Sequence, residues 1–211
     1  IVTGAGNGGV VCFNNFQNYR QALSLRSWGR RSSLYEETED YKKRFGVKVS
    51  GISYDNKYIF DDLGFNFLGS EVSAAFALSQ LKKLNKNIKT RQSNFNKLKK
   101  MLSSFKNIKT FESTDGYQSA WLAFPFMLIN DYDLKRTDLQ KKLERAHIQT
   151  RTIFTGNITL QPVAKKFKWV KTGSLNNSNK VMTSGILIGC HELITDSDID
   201  YLREKIIEFF K

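Results

Sequence analysis

Residues 63–84, LGFNFLGSEVSAAFALSQLKKL, constrain the chain more than any other stretch, because a Gly/Asn turn there delivers the backbone into a helix that starts abruptly. Ser70 is placed as an N-cap, its hydroxyl accepting from a free first-turn N–H, and Glu71 follows where the helix dipole favours a negative charge. Val72, Ala75, Phe76, Leu78, Leu81 and Leu84 recur at three- and four-residue steps, with Lys82, Lys83 and Lys86 on the other side. This spacing predicts an amphipathic helix whose Ala74, Ala75 and Ala77 let another backbone come close. Asn66, beside Gly64, presents a polar side chain at the mouth of an element that otherwise serves packing. On local pattern alone the stretch reads as a capped core helix after an ordinary turn.

The remaining composition sets the class. With 211 residues, 40% hydrophobic content and 16 Phe, the chain is large enough for a core, as one domain or one domain with a smaller companion. It opens on Ile1, which we read as a fragment or processed form with an N-terminal portion out of view. No signal peptide pattern is visible, and no apolar run approaches the roughly 18 residues of a membrane span. Cys12 and Cys190 stand far apart and make neither a disulfide framework nor a zinc pattern, which points to a reducing cytoplasm. His147 and His191 share no metal-ligand spacing, so no metal is expected. The net charge of +13 is the one compositional extreme. Its lysines, at 82–109 and 165–171, read as solvated faces with no aromatic platform for a single strand, so no nucleic acid is expected. A basic nucleic-acid or polyanion-binding protein is the alternative, and it predicts binding that weakens steeply with salt.

In chain order, Gly4, Gly6 and Gly9 form a literal G-x-G-x-x-G. A dinucleotide fold needs that pattern after a strand and before a helix, whereas here it precedes Val10–Phe13, an apolar run that reads as a buried strand. Tyr19–Trp28 reads as a short helix ending at Gly29, and 29–62 as a long, docked loop. Residues 87–105 continue helically with Phe95, Leu98 and Leu102 on one face. Trp121–Ile129 is strand-like, and Pro125 marks it as an edge or bulge. Arg136–Ala146 is helical, Thr150–Phe154 is β-rich, and Ile199–Phe210 is a closing helix capped by Asp196 or Asp198. The alternation defines an α/β fold with a boundary near 106–115.

Between strand and helix lies RTIFTGNITLQP, residues 151–162. Arg151 is able to grip a phosphate or carboxylate with two parallel donors, and a structural ion pair serves it equally well. Gly156 and Asn157 make a turn that presents backbone N–H groups and an amide. Cys190 and His191, adjacent on a strand, face opposite ways and form no nucleophile and base pair. His191 is a candidate lining residue.

Several of these strings, in the right order, resemble the DegT/DnrJ/StrS family of pyridoxal-phosphate enzymes that modify keto-sugar nucleotides. GFNFLGSEVSAAFALSQLKKL is similar to that family's G-Y/F-N…[ST]-[ED]-x-x-A-A segment, although many members have Arg or Lys where Leu68 stands. TGAGNGGVVCFNN is similar to the T-x-G-E-G-G segment that closely follows the reactive residue. RSWGRR, KKRFG, SYDNKYIFDDLGFN, RTIFTGNITLQP and SNKVMTSGILIGCHELITDSDIDYL resemble the 3-dehydratase branch, exemplified by CDP-4-keto-6-deoxyglucose-3-dehydrase-like enzymes.

The resemblance implies a PLP-dependent aminotransferase fold of type I: residues 1–109 as the C-terminal part of the large domain and 110–211 as the small domain. It gives Asn66 a role at the cofactor phosphate, reached from a neighbouring subunit, and Arg151, Gly156, Asn157 and His191 a place at the substrate. The cofactor implied is pyridoxal 5'-phosphate or pyridoxamine 5'-phosphate. The substrate implied is a nucleotide-linked keto sugar of lipopolysaccharide O-antigen or deoxysugar biosynthesis, and the assembly a homodimer with shared active sites. Lysine at the reactive position exchanges amine and ketone; histidine there expels a C3 hydroxyl. That position falls at or just upstream of Ile1, so no catalytic residue is assigned within the chain. A noncatalytic family remnant is the further alternative.

Overall fold

The computed structural model describes residues 4–6, 8–35, 39–129 and 135–211. The chain divides into two compact units between Leu81 and Lys82.

In the first unit, α1 (Phe16–Arg26) starts at Asn15, whose side chain accepts from the N–H groups of Gln17 and Asn18. It therefore begins one turn before the expected Tyr19. Val10–Phe13 forms no strand: Val10 and Val11 are 90% and 74% exposed, because no partner strand pairs with them among the described residues. The long stretch after Gly29 is not a structureless loop. It carries α2 (Tyr41–Arg44) and a hairpin of β1 (Val47–Val49) and β2 (Ile52–Tyr54). The turn residues Ser50 and Gly51 both have positive φ, as a two-residue hairpin turn requires. Bidentate pairing of Arg31 with Asp61 (2.7 and 2.5 Å) and an Arg44–Asp55 ion pair tie this stretch to itself. Both aspartates are held below the usual carboxylate range by hydrogen bonds from their arginines.

The predicted helix is α3 (Glu71–Leu81), with Ser70 Oγ accepting from Ser73 N at 3.4 Å. Its expected core role is not what its unit provides. None of its side chains is buried, and Val72 and Leu78 are 79% and 63% exposed.

The second unit is built on α4 (Leu84–Leu102), β3 (Ile108–Thr110), β4 (Ala123–Leu128), α5 (Arg136–Arg145), β5 (Thr150–Thr152), α6 (Asn176–Ser184), β6 (Gly185–Gly189) and α7 (Asp196–Phe210). Its four strands run antiparallel in the order β3-β4-β6-β5. The compact unit of the sheet takes in α4, because Phe95, Leu98 and Leu102 of α4 are buried in the sheet's core with Leu139, Leu143, Leu202 and Ile206. Strand alternation supplies the other half of that core from Phe124, Phe126, Leu128, Ile186 and Ile188. Each such side chain contributes about 1.5–3 kcal/mol by leaving water.

Pro125 lies inside the sheet, opposite Leu187, and not on an edge strand. The β3 ladder stops at Thr110 opposite Phe126, so at Pro125 β4 has a strand partner on one flank only and a missing N–H is tolerated. The cap of α7 is Thr195, in a capping box with Asp198 at N3, rather than either aspartate. Asp196 instead pairs with Lys97.

Candidate functional site

The covered face of the sheet leaves the alternate residues on the other side. Pro125 and Arg151 both stand opposite Leu187 in the ladder, so the three form one cross-strand row. Around this row lies a cleft of about 800 Å³ whose walls include Trp121, Gln149, Phe154 and His191. The walls are mostly apolar, and their polar groups converge from β5 and from the turn after β6.

Arg151 is exposed and donates from Nη1 to Thr150 O at 2.7 Å. It forms no ion pair with a carboxylate among the described residues. The structural salt bridge open to it from sequence is therefore not formed there, and its charge is available to an anion. His191 is exposed while Cys190 beside it is fully buried; both lie just past the end of β6, in the turn that follows it and not on the strand expected from sequence, and their side chains still part. Burial pushes the Cys190 thiol up to about 11, which makes it inert as a nucleophile at neutral pH. The His191 Nδ1 accepts from Leu193 N at 3.2 Å, so the ring proton sits on Nε2. His191 is thus a donor toward the cleft.

Gly156 and Asn157 are placed differently. Gly156 has φ +60, and a β-carbon on it would meet the side chain of Met182 at 2.5 Å. Asn157 is buried; its Nδ2 donates to Asn179 Oδ1 at 2.6 Å, and its Oδ1 accepts from Thr159 N and Oγ1. Both hold the turn after β5 against α6, so of the four substrate candidates the cleft collects Arg151 and His191.

Asn66 belongs to the first unit. Residues 65–67 run antiparallel to the end of α1 through Phe65 N to Leu25 O (2.7 Å), Trp28 N to Phe65 O (2.9 Å) and Phe67 N to Arg26 O (2.9 Å). Asn66 bridges Ser27 in this pairing, which leaves its exposed carboxamide without a hydrogen-bond partner among the described residues. A rigid backbone carrying a free amide donor is what an anion contact needs.

Arg30 was not singled out by sequence pattern. Its guanidinium lies 4.4 Å from the centre of the Trp28 ring and 5.8 Å from that of Tyr58, and its buried Nε has no partner. The sequence signal for it was there, in the basic and aromatic string RSWGRR. Among the described residues no group of three or more His, Cys, Asp or Glu is placed to hold a metal, and no helix is long and apolar enough to cross a membrane.

The family model for DegT/DnrJ/EryC1/StrS aminotransferases matches residues 2–207, and the chain belongs to that family. It is 31% identical over 209 residues to the lipopolysaccharide biosynthesis protein RfbH of Salmonella typhimurium, covering 97% of this chain and 48% of that protein. It is 32% identical over 208 residues to the dTDP-4-dehydro-2,6-dideoxy-D-glucose 3-dehydratase of Saccharopolyspora spinosa, covering 97% and 45%. Among solved structures it matches an E. coli GDP-4-keto-6-deoxy-D-mannose-3-dehydratase with bound hydrated PLP. That match has a TM-score of 0.76 at 25% identity over 91% of this chain and 48% of that one. The chain spans about half the length of the curated relatives it matches.

Proposed function

We propose that the chain is the C-terminal part of an enzyme that uses pyridoxal or pyridoxamine phosphate to remove the C3 hydroxyl of a nucleotide-linked keto-deoxysugar. The observation that carries this reading is the convergence in one cleft of Arg151, which makes no ion pair among the described residues although its charge lowers the nearby Glu144 carboxyl, with the Nε2–H of His191. The choice of dehydration over transamination is supported by the relatives: those named 3-dehydratases are 29–32% identical, those named transaminases 21–22%.

The residues present suit the cofactor's phosphate end. Asn66 offers a carboxamide donor on a pinned backbone, and its Nδ2 would donate to a phosphate oxygen. When bound, the cofactor withdraws electrons from the sugar carbon bonded to nitrogen. The chain's own groups bind and orient. Arg151 would hold an anionic oxygen of the nucleotide by charge-assisted hydrogen bonds, and His191 would donate to a sugar or phosphate oxygen. The apolar walls of Trp121, Pro125 and Phe154 would pack against a bound ligand and shield these contacts from water.

In this reading residues 1–109 close the large domain and 110–211 form the small one, whatever the compact units. The setting is cytoplasmic, in lipopolysaccharide O-antigen or deoxysugar biosynthesis, and the assembly is a homodimer in which Asn66 serves a neighbour's cofactor. The reactive residue, at or before Ile1, lies outside the described residues. The test is to incubate the complete natural polypeptide with cofactor, amino donor and a keto-deoxysugar nucleotide. Mass spectrometry of the product is expected to show loss of the C3 oxygen with the keto group kept. A keto oxygen replaced by an amine would assign transamination instead.

A further inference from the structure

Arg91 takes no part in the cleft's walls, yet it bonds Trp121 on one side of the cleft and the two residues flanking His191 on the other. It lies on α4, one turn from Asn94 and on the same face, beside the buried Phe95. Its side chain is only 10% exposed, and a guanidinium so placed is costly unless it is paired. The Nη1 donates to Trp121 O and to Cys190 O, both at 3.1 Å, and Nη2 stands 2.8 Å from Glu192 Oε2 in an ion pair. Asn94 Nδ2 donates to His191 O at 2.8 Å and to Ile194 O at 3.3 Å. Every residue of the turn 190–194 except Leu193 is therefore bonded to this one helical face. Leu193 is the residue whose N–H caps the His191 Nδ1.

We infer that Arg91 is the positioning residue for His191, holding with Asn94 the turn that fixes the ring as an Nε2–H donor at the lip of the cleft. The Glu192 carboxylate balances the buried charge, and the bond to Trp121 O sets the opposite lip, where Trp121 stacks on Phe95 at a centroid distance of 3.9 Å. One cation thus keeps an aromatic wall and a hydrogen-bond donor in fixed relation. The consequence for ligand binding rests on the reading of this cleft as the substrate site; the consequence for the tautomer does not.

The test uses the complete natural polypeptide with its cofactor. Long-range proton–nitrogen spectra, assigned by the signal lost in His191→Gln, are expected to give a single Nε2–H tautomer for His191 and a mixture in Arg91→Lys. Affinity for the nucleotide sugar is expected to fall about fivefold in Arg91→Lys, with no further loss when that change is added to His191→Ala. An unchanged tautomer in Arg91→Lys, or an equal affinity loss in the His191→Ala background, would overturn the assignment. If the tautomer shifts while His191→Ala binds ligand as the wild type does, the positioning stands and the substrate reading of the cleft falls. Should Arg91→Lys not fold, Asn94→Ala and Glu192→Gln carry the same measurements with the same two outcomes.

Discussion

Gly64 lies so close to Gly29 that a β-carbon on Gly64 would stand 2.3 Å from the Gly29 amide nitrogen. Gly29 in turn has φ +75, and a β-carbon there would come within 1.8 Å of Asp62 O. The two glycines let the segment carrying Asn66 cross the end of α1 backbone to backbone. Gly64→Ala is expected to destabilise the protein by about 1–3 kcal/mol, as overpacking does. Chemical denaturation compared with Gly69→Ala, where a β-carbon meets nothing within 4 Å, checks it.

Removing the amide alone separates placement from contact. Asn66→Ala is expected to leave the denaturation midpoint unchanged, because the side chain is exposed and unbonded, and to weaken cofactor retention on dialysis of the complete polypeptide. Unchanged cofactor affinity removes Asn66 from the site.

Arg151→Ala deletes a cation that forms no ion pair within the described chain. Stability is expected to shift by no more than about 0.5 kcal/mol, while affinity for a nucleotide sugar falls about ten- to hundredfold, the scale of a charge-assisted hydrogen bond. Calorimetric titration of both proteins reads the difference.

Much of the second unit was legible in advance. The apolar periods of 87–105, 136–146 and 199–210 became α4, α5 and α7, since each stripe found the sheet to cover. What failed had a long-range cause. Val10–Phe13 has strand composition but no partner to pair with among the described residues, and Pro125 looked like an edge marker because sequence does not reveal where β3 stops. Thr195, Asp196, Ser197 and Asp198 are all capping residue types, so the sequence alone does not single out Thr195 as the cap. Asn157 has the same chemistry as Asn66, and only burial tells them apart.

The first unit is expected to loosen in acid. Asp55 and Asp61 have folded-state values lowered by Arg44 and Arg31, so their contribution is complete above the ordinary aspartate value, about pH 4, and is lost as pH falls below it through the lowered values. Amide exchange at residues 29–31 and 59–62 is expected to rise there first. Asp61→Asn should remove part of that pH dependence.

The Cys190 thiol is fully buried and raised to about 11, so iodoacetamide at neutral pH is expected to leave it unmodified in the native protein and to alkylate it after denaturation. Peptide mass spectrometry distinguishes the two states.

The central claim is a cofactor-dependent dehydratase, and one measurement bears on it most directly: the absorbance spectrum of the complete natural polypeptide with pyridoxal phosphate, taken before and after borohydride reduction and dialysis. The expected result is a bound cofactor spectrum that disappears on dialysis even after reduction. A cofactor that stays attached after reduction would replace dehydration with transamination, and no binding at all would contradict the account.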